Sequence, residues 1–220
     1  MAENDHSLSS NQAYVSIIGS DNLPVTKTIS WNGEQIVKSP GAQIYQGYAK
    51  TIEAPTPEAL LEIIKHLKPT EALALGVLKS ANIDQPLVTR QRQSAGTIAR
   101  TKEFFQFHMG PGWLLLDIDA KDLPEQIISK ICKKNLFDLI LSLVPELKDS
   151  SYLVRPSSSA GIILPDGSEH VATGFHAWVM IEQATQAPQL LKDISNALWA
   201  KGFGFINLAG NGAMLERTLV

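Results

Sequence analysis

The chain has 220 residues, 44% hydrophobic and 19% charged, enough apolar material for one large globular domain or two small ones without covalent staples. A formal net charge of -3 excludes a surface coated in positive charge for bulk nucleic-acid binding. The one cysteine, Cys132, excludes an internal disulfide and any zinc cluster built on paired thiolates.

Residues 1–12 form a polar tail expected to be disordered, with neither the basic start nor the apolar stretch of a signal peptide. No run approaches the ~18 apolar residues that span a bilayer, so the expectation is a cytoplasmic protein with no membrane partner. Residues 13–105 read as an N-terminal α/β accessory layer. Its β-prone pieces are Tyr14 to Ile18, Thr26 to Trp31 and Gln43 to Tyr48, separated by Gly and Pro breaks. Thr56-Pro57-Glu58 then starts a helix: hydroxyl at the cap, proline at the first position, acid in the first turn. Leu60, Leu61, Ile64 and Leu67 supply its apolar stripe, Pro69 lies beyond its end, and Ala72 to Val77 is a short strand. Between Leu87 and Lys102, Arg90, Arg92, Arg100 and Lys102 occur with no acidic residue among them. They suit a solvated loop or a grip on phosphates, whose oxygens match the planar guanidinium fork.

Residues 106–220 are more regular. Trp113-Leu114-Leu115-Leu116-Asp117-Ile118-Asp119 is a strand ending in two carboxylates that alternation puts on one face, a pattern suited to Mg²⁺ or Mn²⁺. Asp122-Leu123-Pro124-Glu125 starts helical sequence that breaks near Asn135, with Cys132 as a structural thiol in its first part. Tyr152 to Arg155 is a strand, and Pro165-Asp166-Gly167 turns a projecting hairpin. Phe175 to Ile181 is a strand, Pro188 to Lys201 a helix stopped by Gly202, Phe203 to Asn207 a strand, and Met214 to Val220 a last β-prone piece. Without the hairpin, the order is β-α-β-β-α-β, the split ferredoxin-like arrangement, and the fold class is α+β. Its first and third strands are adjacent, so Asp117 and Asp119 are expected near His176. Upstream of that histidine, Arg155-Pro156-Ser157-Ser158-Ser159-Ala160-Gly161 offers hydroxyls and backbone N–H groups to phosphate oxygens.

In these residues, together with Gly110-Pro111-Gly112, Arg100-Thr101-Lys102 and Gly174-Phe175-His176, the sequence resembles the archaeo-eukaryotic primase superfamily over roughly Ala72 to Val220. It is most similar to primase-polymerase domains of phage and plasmid replication proteins. The resemblance implies an RRM-like palm that joins nucleotides on a single-stranded DNA template. Asp117 and Asp119 would hold Mg²⁺ or Mn²⁺, and His176, with Ser157, Ser159, Arg100 and Lys102, would bind the nucleoside triphosphate. Arg90, Arg92 and Arg155 would contact nucleic acid, and a helicase, in the same chain or separate, would be a partner.

Two features depart from the family. Gly174 stands where a serine often precedes the histidine by two residues, and a third carboxylate is expected just after Val220, so the palm is read as truncated at its C-terminal strand. Glu216 lies on that strand but out of register with the missing acid, because an odd offset reverses the strand face. The alternatives are a catalytically incomplete module binding nucleotide or single-stranded nucleic acid, and a DxD glycosyltransferase holding Mn²⁺ against a sugar-nucleotide diphosphate.

Overall fold

A computed structural model describes residues 8–80, 84–118, 123–131, 136–170 and 174–220. They form a mixed α+β protein with four helices and several small sheets. The chain divides into two compact units: residues 1–113 with 181–185, and residues 114–180 with 186–220.

The strands of the first unit are β1 (Tyr14–Ser20), β2 (Thr28–Trp31), β3 (Ile36–Ser39), β4 (Gln46–Glu53), β5 (Glu71–Ala74), β6 (Val77–Leu78), β7 (Gln85–Val88), β8 (Ile98–Ala99) and β9 (Phe105–Gln106). Five of them form a sheet in the order β5-β1-β4-β7-β8. All seven residues of β1 are buried, because it lies between antiparallel β4 and β5. Its apolar run therefore reads as near-continuous rather than alternating. The hairpin of β2 and β3 and the pair of β6 and β9 lie outside that sheet.

Helix α1 (Pro57–His66) begins where the cap chemistry places it: Thr56 Oγ1 accepts a hydrogen bond from Ala59 N–H at 3.2 Å, and proline occupies the first turn. Its stripe buries Leu60. Across three neighbouring strands, Tyr48, Gly19 and Glu71 share one register row. Gly19 has no side chain, so the Tyr48 ring crosses it and its hydroxyl donates to Glu71. A Cβ on Gly19 would lie 2.3 Å from that ring. Glu71 also accepts the Lys68 N–H at 2.8 Å.

In the second unit the elements are β10 (Gly112–Ile118), which crosses from the first unit, α2 (Glu125–Ile131), α3 (Leu136–Leu143), β11 (Tyr152–Pro156), β12 (Phe175–Ile181), α4 (Ala187–Ala200), β13 (Phe205–Leu208) and β14 (Met214–Arg217). The sheet runs β10-β12-β11, so the first and third strands of the β-α-β-β order are neighbours. The Phe137 ring packs edge-on against Tyr152 and Phe175, with centroids 4.9 and 6.4 Å apart, which puts α3 over one face of this sheet. Gly202, at φ +77°, ends α4 after Lys201 N–H bonds to Ala197 O.

Two elements differ from the sequence reading. The ferredoxin-like order puts the Phe203 to Asn207 strand in the same sheet as β10; among the described residues β13 pairs with β14 instead, and β10 lies at the edge of a three-stranded sheet. A tight turn explains this: Gly212 N–H bonds to Ala209 O and Ala209 N–H to Ala213 O, both at 2.8 Å, so a local partner closes with little loop entropy. The hairpin leaves Ile206, Leu208 and Met214 exposed on one face. The last β-prone piece also stops at Arg217 rather than Val220, because Thr218 Oγ1 turns back to donate to Val220 O at 2.8 Å. The expected tail of residues 1–12 is described only from Leu8, and Cys132 lies outside the described residues.

Candidate active site

Alternation along β10 separates two chemistries. Leu114, Leu116 and Ile118 are buried on one face, while Asp117 points to the other with 70% of its side chain exposed. On β12, Ala177 and Val179 are buried beside the helix-covered side, and His176 and Trp178 alternate with them. The end of β10 meets the start of β12, and Asp117 Oδ1 lies 3.2 Å from His176 Nε2. The imidazole is 39% exposed, so carboxylate and ring share a solvent-accessible edge. Protonated, the imidazole forms an ion pair with Asp117.

The third strand extends this face. In the β11–β12 register Arg155 stands opposite His176 and Leu153 opposite Trp178. Arg155 is half-buried and has no ion pair among the described residues. Trp178 packs edge-on against the His176 ring, 5.6 Å between centroids at 73°, and fixes its orientation. The buried Trp178 Nε1 has no hydrogen-bond partner among the described residues. The spacing of two between Trp178 and His176 was the signal that it supports the ring from the same face.

The serine segment forms a turn at the end of β11. Ser157 N–H donates to Gly174 O at 2.9 Å, Ala160 N–H donates to Ser157 O at 3.0 Å, and the Ser157 and Ser159 hydroxyl oxygens are 3.4 Å apart. Ser159 is buried and Ser157 half-buried, so Ser157 is the more accessible hydroxyl. Beyond the turn, Asp166 accepts from Ser168 N–H and Oγ at 2.9 and 2.6 Å, which holds its carboxyl below the usual range and closes the projecting loop.

The structure gathers Asp117, His176, Arg155, Ser157 and Ser159 in the second unit. Arg90, Arg92, Arg100 and Lys102 belong to the first, where all four are exposed and Arg90 and Arg100 line one cleft. Asp119, the second expected metal-binding acid, lies outside the described residues. Among the described residues, no group of three or more His, Cys, Asp or Glu side chains is placed to hold a metal. The donor chemistry still suits a substrate-assisted site: Mg²⁺ is commonly held by one or two carboxylates plus substrate phosphates. No helix among the described residues is long and apolar enough to cross a membrane. Comparison of the chain with protein-family models, curated proteins and solved structures gave no match.

Proposed function

We propose that this chain is a DNA primase-polymerase catalytic domain, with an RRM-like palm formed by β10, β12 and β11 and the helices on one side of that sheet. The single observation that carries the reading is the Asp117 carboxylate 3.2 Å from the His176 imidazole, on an open sheet edge with Arg155 in register beside the histidine. An acid and two cationic or hydrogen-bonding groups converging there suit a triphosphate, whose charge they can divide between them. A divalent cation at Asp117, with Asp119 as the expected second ligand, would supply charge neutralisation at the attacking and leaving oxygens.

In the reaction a primer 3′-hydroxyl oxygen forms a bond to the α-phosphorus of the incoming nucleotide. The bond from that phosphorus to pyrophosphate breaks, and the hydroxyl proton passes to solvent. His176 and Arg155 hold the phosphates in line and offset their charge; Trp178 keeps the imidazole from rotating away. The proposed partners are a single-stranded DNA template, nucleoside triphosphates and a replicative helicase.

The test is template-directed incorporation of labelled nucleotides on single-stranded DNA with Mg²⁺ or Mn²⁺. Asp117→Ala is expected to lower incorporation at least ~10²-fold, and His176→Ala by a similar order, as for removal of one transition-state-stabilising group. Unchanged incorporation by Asp117→Ala overturns the assignment. Tight strand binding without synthesis or metal dependence would instead mark a binding module, and sugar transfer without a template would mark a DxD glycosyltransferase.

A further inference from the structure

The first unit carries a cleft of about 520 Å³ against the five-stranded sheet, within the size range of small-ligand sites. Its floor is aliphatic: Ile18 and Leu87, both in the buried core, and Ile44 packed against them. Arg90 and Arg100 stand in its lining, which contains no acidic residue. Among the described residues neither arginine forms an ion pair. Thr101 completes the wall, and its buried Oγ1 has no hydrogen-bond partner among the described residues.

Folding alone does not account for this set. Both guanidinium groups are exposed and free of ion pairs among the described residues, so they are available to an anion, and a buried hydroxyl without a partner is an uncommon feature that needs an explanation. Val25, Ile44 and Val88 in the lining are only half-buried and leave apolar surface that a bare inorganic anion would not cover. Guanidinium forks match phosphate oxygens in shape and charge. We infer that this cleft binds a phosphorylated nucleoside without any metal, its base on Val25, Ile44 and Val88 and its phosphate on Arg90 and Arg100. The site belongs to a different unit from Asp117 and His176, and it stands whether or not the polymerase reading does.

Equilibrium dialysis of the full chain against labelled dATP in excess EDTA tests it. One metal-independent site is expected, weakened about tenfold or more by Arg90→Gln and by Arg100→Gln, since each removes a charge-assisted contact. Both side chains are exposed, so the variants should melt with the wild type, and circular dichroism verifies that. Asp117→Asn should leave this binding in place. Deoxyadenosine should bind at least tenfold more weakly than dATP. Displacement of dATP by 5′-phosphorylated oligothymidylate would make a strand end the natural source of the ligand, and failure to displace would make it a free nucleotide. No binding in EDTA, binding unchanged in both arginine variants, equal affinity for deoxyadenosine, or binding lost in Asp117→Asn each overturns the inference.

Discussion

β1 and β10 are both seven-residue strands built on an apolar run, yet they end in opposite ways. β1 is flanked on both sides, and its last residues, Gly19 and Ser20, are as buried as its first. β10 is buried through Leu116 apart from partly buried Leu115, then turns one side chain, Asp117, to solvent before Ile118 is buried again. An apolar run therefore reports a strand in both units; the residue where polarity returns distinguishes a strand buried to its end from one that turns a carboxylate to solvent. Polar groups near β1 are spent on each other. Burial raises both groups of the Tyr48–Glu71 pair, and the hydrogen bond and the carboxylate charge push Tyr48 further, to about 12. For Glu71 the Lys68 N–H, the Tyr48 hydroxyl and the Lys68 and Lys50 charges outweigh burial and hold the carboxyl below its usual range. Among the described residues the Asp117–His176 pair stays at the surface, with the two side chains 70% and 39% exposed.

Four substitutions test this contrast. The largest expected change in stability is Leu116→Ala, which removes a fully buried side chain one residue before the acid and should cost ~2–5 kcal/mol in chemical denaturation. Asp117→Ala should move the same midpoint by no more than ~0.5 kcal/mol; equal losses at the two positions would refute the division of β10 into core and site. Gly19→Val should cost ~1–3 kcal/mol, because a Cβ there meets the Tyr48 ring. The combination with Tyr48→Phe should lose less than the sum, since the obstructed hydroxyl bond is then already absent.

Glu71→Gln gives a pH signature. Because its folded pKa is lowered, Glu71 stabilises fully above its ordinary value of 4.5 and loses that contribution as the pH falls through the lower folded value. The variant should flatten the acid limb of a melting-temperature profile. The sign is reversed for Tyr48, whose contribution is complete below its ordinary 10.0 and lost as the pH rises toward about 12. Tyr48→Phe should flatten the alkaline limb. Thr56→Ala at the exposed start of α1 should cost ~1 kcal/mol by denaturation.

Much of the site was legible because its signals are local or follow from chain order. Thr56, Pro57 and Gly202 mark helix ends through their own backbone chemistry, and the β-α-β-β order brings His176 to Asp117 without knowledge of any side-chain packing. The two-residue strands β6, β8 and β9 are too short to express a period. β3 is short, and its one local signal is the Asn32-Gly33 turn before it, with Gly33 at φ +104°. The departure of β13 from the sheet arose from competition between a distant partner and a nearby one. The Tyr48–Gly19–Glu71 row and the arginine-lined cleft depend on strand register, which no single segment encodes.

The position of β1 also has a consequence for biosynthesis. Both of its neighbours, β4 and β5, lie later in the sequence, so the nascent strand emerges from the ribosome with both edges open. It stays unpaired until translation has passed Glu53 on one side and Ala74 on the other. Over that interval Tyr14–Ser20 is a sticky segment in a growing polypeptide, and chaperone capture of arrested chains should fall once the nascent length clears residue 74 plus the exit tunnel.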